Sequence, residues 1–275
     1  MELEVATREG RGNAYVYTGG KPLDATLPAV VFLHGALHDH SVWTLLSRWA
    51  AHHGCAVLSP DLPGHGRSAG PACTSIEALA DWTLELLDAA GVREAVLVGH
   101  SMGSLVALEA AARAPDRARA LVLLATAWPM AVSPALLDTA RSDPYRAIDM
   151  VNVYSHASIG SKPSFPGPGM WLHGSNRTLM RRVQDDYRGG NLFSIDFEVC
   201  NRYAAGLEAA ARIHCPVRFV LGARDQMTAP RQAAALAEAL HADVTTLPAG
   251  HALMTEVPDA VLEVLRAALT ERAGA

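Results

Sequence analysis

Short, nearly continuous apolar runs such as Ala29-Val30-Val31-Phe32-Leu33 and Ala95-Val96-Leu97-Val98 recur along the chain. Between them lie longer segments in which apolar residues return every three or four positions. A run that is apolar on both faces suits a strand buried between two layers, and the longer spacing suits a helix with one buried face. Strand cores are therefore predicted at residues 15–17, 29–33, 56–59, 95–98, 120–124, 217–221 and 244–247. Helices are predicted over 41–51, 75–90, 102–112, 230–240 and 258–268. Ser75 is placed to cap the second of these, with Glu77 and Asp81 near its positive end, and Gly91 to close it. The alternation predicts an α/β chain with a mostly parallel central sheet and helices on both faces.

The rhythm breaks between residues 128 and 205, where Met, aromatic, Pro and Gly residues accumulate. The stretch Lys162-Pro163-Ser164-Phe165-Pro166-Gly167-Pro168-Gly169 forbids any regular element, and is the place where mobility is expected. Alternation resumes at Cys215-Pro216. The expected organisation is a core domain made of 1–127 and 206–275, with 128–205 inserted as a helical cap over one end of the sheet.

Composition narrows the partners. The chain has 275 residues, half of them hydrophobic, and a formal net charge of -5. Such a balance excludes the concentrated basic face that nucleic acid demands. No apolar stretch is long enough to cross a bilayer, and Met1-Glu2-Leu3-Glu4 does not open an export signal, so neither a membrane partner nor secretion is expected. Cys55, Cys73, Cys200 and Cys215 are spaced for neither a disulfide framework nor a metal site, which suits reduced thiols in the cytoplasm. His38-Asp39-His40 and His52-His53 lack a third ligand at a recognisable spacing, so no metal is predicted. The oligomeric state is not written in the sequence.

The chemistry is concentrated at Val98-Gly99-His100-Ser101-Met102-Gly103, a G-x-S-x-G motif between a predicted strand and a predicted helix. A sharp strand-to-helix turn at the serine strains the backbone and presents the hydroxyl, and flanking glycines leave room for it. A serine hydroxyl is a weak nucleophile at neutral pH and needs a base, itself oriented by a carboxylate. Asp225 follows the strand at 217–221, and His251 follows the strand at 244–247, so all three fall beyond carboxyl ends of strands, the rim where open α/β sheets bind ligands. The fourth component is an anion cradle. The strand 29–33 runs into His34-Gly35-Ala36-Leu37, and the backbone N–H groups of Ala36 and Met102 are placed to receive charge on a carbonyl oxygen. Losing one such donor typically costs about 10²–10³ in rate. The candidate substrate-binding residues are His34, Gly35, His100 and Trp128. For the two histidines the alternative is structural, holding loops by hydrogen bonds.

Taken in order, His34-Gly35, Asp61-Leu62-Pro63-Gly64-His65-Gly66-Arg67-Ser68, Gly99-His100-Ser101-Met102-Gly103, Gly222-Ala223-Arg224-Asp225 and Gly250-His251 with Glu256-x-Pro258 resemble the α/β-hydrolase superfamily over essentially the whole chain. The resemblance implies the α/β-hydrolase fold, Ser101 as nucleophile, Asp225 as acid, His251 as base and 128–205 as the cap. It also implies that residues 61–68 form a structural loop near the site. Epoxide hydrolases and haloalkane dehalogenases of this superfamily attack with aspartate, whereas a serine stands here and points to acyl transfer.

The expected function is that of a cytoplasmic serine hydrolase cleaving a small, largely apolar carboxylic ester through an acyl-enzyme, with no cofactor. The small-molecule substrate is the expected partner. The alternatives are a C–C bond hydrolase of aromatic ring-cleavage products, whose anionic substrates Arg177, Arg181, Arg182 and Arg188 would suit, and a non-catalytic ligand receptor. At helical spacing those arginines also read as a solvated face. Met130, Tyr145, Met150, Tyr154, Phe165, Met170, Trp171, Met180 and Phe193 either line a pocket or form the cap's own core.

Overall fold

The apolar runs become strands. The computed structural model describes residues 1–7, 10–157 and 171–270. Its strands, in chain order, are β1 (Glu2–Thr7), β2 (Gly10–Tyr17), β3 (Ala29–Leu33), β4 (Ala56–Pro60), β5 (Ala95–His100), β6 (Ala118–Leu124), β7 (Val217–Gly222) and β8 (Asp243–Leu247). They form one sheet in the order β1-β2-β4-β3-β5-β6-β7-β8. The pairs from β4 through β8 are parallel, and the β1–β2 hairpin joins β4 antiparallel.

The helices are α1 (Thr44–His52), α2 (Ile76–Ala89), α3 (Met102–Arg113), α4 (Pro134–Ser142), α5 (Pro144–Ser155), α6 (Leu172–Asp186), α7 (Leu192–Arg202), α8 (Gly206–Ala210), α9 (Ala234–Ala239), α10 (Leu253–Glu256) and α11 (Pro258–Thr270). Ser75 caps α2 by accepting from the Ala78 N–H, and Gly91 follows with φ +67. No helix among the described residues is long and apolar enough to cross a membrane.

Strands β3, β4 and β5 are buried at every position, as parallel strands covered on both faces must be. Successive residues serve opposite layers. Val31, Leu33, Leu58 and Leu97 pack with α2 and α3, whereas Val30, Phe32, Val57 and Val96 pack with α1 and α11. The sheet ends at β8, whose exposed Asp243, Val244 and Thr246 make a short, largely polar edge.

Five elements depart from expectation. Strand β1 was not predicted: its Glu2-Leu3-Glu4-Val5 alternation is short and acidic, and becomes a strand by pairing with β2. The helices predicted at 41–51 and 230–240 each open with a 3₁₀ turn, over His40–Trp43 and Pro230–Ala233. Helices α8 and α10 are too short to leave a period in the sequence.

Between β6 and β7 the described chain forms α4 to α7. Their apolar faces meet around Leu136, Ile148, Val151, Met180, Leu192 and Phe193, and the cluster includes Leu37 from the turn after β3. These helices thus sit over the carboxyl ends of the strands. Residues 162–169, expected to lack regular structure, lie outside the described residues, as do Phe165 and Met170.

One close approach fixes the middle of the fold. A Cβ at Gly99 would lie 2.1 Å from the Gly103 carbonyl oxygen, and one at Gly103 would lie 2.3 Å from that of Leu33. Backbone on the far side cannot yield as a flexible side chain would. Gly103→Ala is therefore expected to lower the unfolding free energy by about 3 kcal/mol or more, beyond the usual cost of overpacking. Urea denaturation checks this, and a loss below about 1 kcal/mol would mean that α3 can slide away from β3.

Candidate active site

Ser101 sits between β5 and α3 with φ +53 and ψ -119. A serine held there carries strain of order 1–3 kcal/mol. Surrounding bonds hold it in place: its N–H donates to the Leu124 carbonyl at 2.9 Å, and its own carbonyl accepts from the Ser104 N–H and hydroxyl. The turn leaves Ser101 at the amino end of α3, where unpaired N–H groups and the helix dipole favour negative charge. Met102, the first residue of α3, contributes such an N–H while its side chain is buried in the core.

Asp225 and His251, the candidate acid and base, lie side by side. His251 Nδ1 lies 2.8 Å from Asp225 Oδ2, which leaves Nε2 as the ring nitrogen able to take a proton. The Asp225 carboxylate is surrounded by donors. Oδ1 accepts from the N–H groups of Met227 and Thr228 at 2.8 and 2.9 Å, and the Thr228 hydroxyl lies 2.7 Å from Oδ2. Burial pushes this carboxyl up, but His251 and the Thr228 bonds outweigh it and hold it below the usual carboxylate range. The Thr228 hydroxyl also reaches the Ala125 carbonyl at 2.9 Å, so β6 helps to fix the acid. Sequence reasoning missed Thr228. The signal was the D-x-x-T spacing, at which an aspartate accepts from backbone two and three residues on.

His251 is also anchored from above. Its N–H donates to the Ser155 carbonyl at 2.7 Å, at the end of α5. Its carbonyl accepts from His100 Nε2 at 2.9 Å. Glu256 bridges the same junction, accepting from Gly250 N–H with one oxygen and Ala157 N–H with the other.

The turn after β3 is locked by a residue that the sequence did not single out. Leu37 adopts φ +53, and its N–H donates to Asp196 Oδ2 of α7 at 2.8 Å. The same oxygen lies 2.9 Å from His65 Nε2. Burial pushes the His65 imidazole down, but the Asp196 carboxylate outweighs it and the net shift is upward. A buried carboxylate–imidazole contact therefore joins α7, the Leu37 turn and the loop 61–68.

Ser101, His100, His251, Ala36 and Thr228 line a cavity of about 520 Å³, with Met130, Met150, Val151, Met180, Phe197 and Met254 among its apolar walls. That volume suits a small organic molecule. Among its described lining residues Arg231 is the one with a permanent charge.

Three substrate-binding expectations need correction. His34 does not line the cavity: Nδ1 donates to the Gly35 carbonyl at 2.9 Å and Nε2 accepts from the Leu62 N–H at 3.0 Å, so it ties two loops. Burial pushes that imidazole down to about 4. Gly35 is likewise outside the lining. Its part is to leave room, because a Cβ there would meet His100 Nδ1 at 3.0 Å and Ser101 Cβ at 3.2 Å. Trp128 packs on the core below and lies against Gly206, away from the cavity. The aromatic and methionine set divides. Met130, Met150, Tyr154 and Met180 line the cavity, Phe193 is core, and Tyr145 and Trp171 are exposed.

The arginines of α6 are not a plain solvated face. Arg177 and Arg181 both grip Asp149 of α5, and Arg182 lies 2.6 Å from Asp39. Asp39, His40 and Asp61 cluster closely enough to suggest a cation site. Their donor atoms are already committed: Asp61 accepts from His40 and the Arg67 N–H, and Asp39 from the Ser41 N–H and Arg182. The cluster is a loop lock.

Residues 30–264 match the alpha/beta hydrolase family. An epoxide hydrolase from Caballeronia sordidicola is 30% identical over 194 residues, 64% of this chain and 58% of that protein's length. A pimeloyl-[acyl-carrier protein] methyl ester esterase from Chromobacterium violaceum is 29% identical over 254 residues, 86% of this chain and 84% of its own. Among solved structures, an esterase from Exiguobacterium antarcticum superposes with a TM-score of 0.82 at 17% identity, covering 98% of this chain and all of the other.

The Asp196–His65 pair gives a pH-dependent prediction. Removing one partner of a buried pair costs about 3–5 kcal/mol. Because folding raises the His65 pKa above 6.5, the paired charge stabilises fully below that pH and its contribution fades as pH rises through the folded value. Asp196→Ala should therefore be destabilised most near pH 6, and its deficit should narrow toward pH 9 without vanishing, since the Leu37 N–H stays unpaired. Denaturation curves across that range check it, and a deficit that grows with pH would contradict the charged pair.

Proposed function

This chain belongs to the alpha/beta hydrolase family, and from that premise we propose that it is a serine hydrolase cleaving a small, largely apolar carboxylic ester. The observation that carries the reading is a serine at a strained turn, on the wall of an apolar cavity shared with a histidine whose far nitrogen is held by a carboxylate. His251 Nε2 takes the Ser101 proton as Oγ attacks the ester carbonyl, and Asp225 fixes the tautomer and stabilises the imidazolium. The N–H groups of Ala36 and Met102 receive the tetrahedral oxyanion, which the amino end of α3 further favours. His251 then protonates the leaving alcohol. Water, activated by the same imidazole, hydrolyses the acyl-enzyme and regenerates Ser101. No step calls on a metal or organic cofactor.

Residues 128–205 act as a cap in this reading: α4 to α7 exclude water from the acyl-enzyme, and Met130, Met150 and Met180 add to an apolar wall that Met227 and Met254 complete from the core domain. Cleavage of C–C bonds in anionic ring-fission products is less well supported, because Arg177, Arg181 and Arg182 are engaged by Asp149 and Asp39. A cytoplasmic place of action is supported by four cysteines that form no disulfide.

Hydrolysis of p-nitrophenyl esters graded from acetyl to dodecanoyl tests the proposal. Wild-type protein should turn over the shorter members, with a preference set by the cavity under the cap. Ser101→Ala should reduce kcat by at least about 10⁴-fold, and Asp225→Asn by a similar order. Folded wild-type protein inactive on the whole series would sink the ester reading.

A further inference from the structure

A chain of two amides, one buried and one half-buried, fixes one imidazole on the cavity wall in a single tautomer. Asn152, fully buried in α5, donates its NH₂ to the Ile148 carbonyl at 2.9 Å, which orients its Oδ1. That oxygen accepts from the Asn176 NH₂ of α6 at 3.0 Å, so Asn176 must present its own Oδ1 to the next group. The next group is His38 Nε2, at 2.8 Å. A carbonyl-type oxygen accepts only, so Nε2 carries the proton and Nδ1 is left as a bare lone pair. Nδ1 is buried and has no hydrogen-bond partner among the described residues, and His38 forms part of the wall that also holds Ser101. A buried acceptor without a partner costs about 1–3 kcal/mol, so two asparagines that enforce this state call for a ligand that relieves it.

We propose that His38 Nδ1 is an acceptor subsite for a hydrogen-bond donor, a hydroxyl or N–H, that the substrate carries beside its scissile carbonyl. The assignment rests on the ester-hydrolase reading and narrows it to esters with a donor near the reacting centre. His38 lies one residue beyond Leu37, whose N–H is held by Asp196, so the same locked turn that carries Ala36 N–H also places the acceptor. Burial pushes the His38 imidazole down to about 4, which keeps the ring neutral and the lone pair available at neutral pH. His100, whose ring centroid is 6.0 Å away, is not equivalent, because its Nδ1 abuts Gly35.

Paired esters test the subsite. On the acyl side these are p-nitrophenyl glycolate, propionate and methoxyacetate; on the alcohol side, acetates of ethylene glycol, propanol and 2-methoxyethanol. In one series the hydroxyl-bearing member should be favoured roughly tenfold in kcat/KM over both others, the size of one net hydrogen bond. His38→Leu should bring that ratio to about one, and His38→Asn, which restores an acceptor near Nδ1, should recover part of it. A second arm does not need turnover. In ¹⁵N-histidine-labelled Ser101→Ala protein, the hydroxyl-bearing member of one pair, phenyl glycolate or ethylene glycol monoacetate, should shift the unprotonated His38 Nδ1 resonance upfield, and its methoxy counterpart, phenyl methoxyacetate or 2-methoxyethyl acetate, should not. If the wild type hydrolyses no ester, the ester reading falls while the resonance still decides the subsite. The inference is overturned if the preference is absent in both series or survives His38→Leu. It is equally overturned if, in both pairs, Nδ1 responds alike to the hydroxyl and methoxy members, or to neither, as it would if a permanently bound water satisfied it.

Discussion

The arrangement of the site depends on the close approach of α3 to the strands beneath it. Gly103 lets the helix start against the carbonyl oxygens of Leu33 and His34, and Gly99 lets β5 pass under the first turn. With no room on either side, the connecting residue can turn only through a positive φ, and Ser101 occupies that position. The strain is local, while the force that holds it is distributed over a helix buried at almost every position. A hydroxyl fixed in this way keeps its direction through a reaction, and most of the value of a positioned nucleophile lies there.

The inserted helices are fastened to this rim by polar bonds at several points. Asp196 of α7 holds the Leu37 turn, the Ser155 carbonyl of α5 holds His251, and Arg182 of α6 holds Asp39. Each links a helix above the cavity to a loop that carries, or adjoins, a residue with a proposed role in the reaction. The groups proposed to bind an oxyanion and move a proton are thus positioned jointly by the sheet and by the helices that cover it. Any rearrangement of those helices would be felt at the Leu37 turn and at His251 together.

Much of this was legible in the sequence, for physical reasons that differ by residue. Ser101, Asp225 and His251 could be singled out because each stands just beyond the carboxyl end of a predicted strand, and a parallel sheet delivers all such positions to one rim. Asp196 could not, because its partners Leu37 and His65 lie 159 and 131 residues away and leave no local period. Thr228 hid in an ordinary turn. Trp128 misled because a large apolar residue at the end of a strand fits a pocket wall and a core equally well, and only the packing against Gly206 decides. His34 misled similarly: its place beside the turn suggested substrate contact, while both ring nitrogens are consumed by backbone. The hairpin strand β1 escaped because its pairing partner, not its composition, makes it a strand.

The central claim is that Ser101 is an activated nucleophile, and intact-mass measurement after exposure to a fluorophosphonate tests it most directly. One adduct should form, map to Ser101, disappear in Ser101→Ala and form far more slowly in His251→Ala. A folded protein that takes up no label, or labels at the same rate without His251, would contradict the claim and leave a cavity that binds ligands without transforming them.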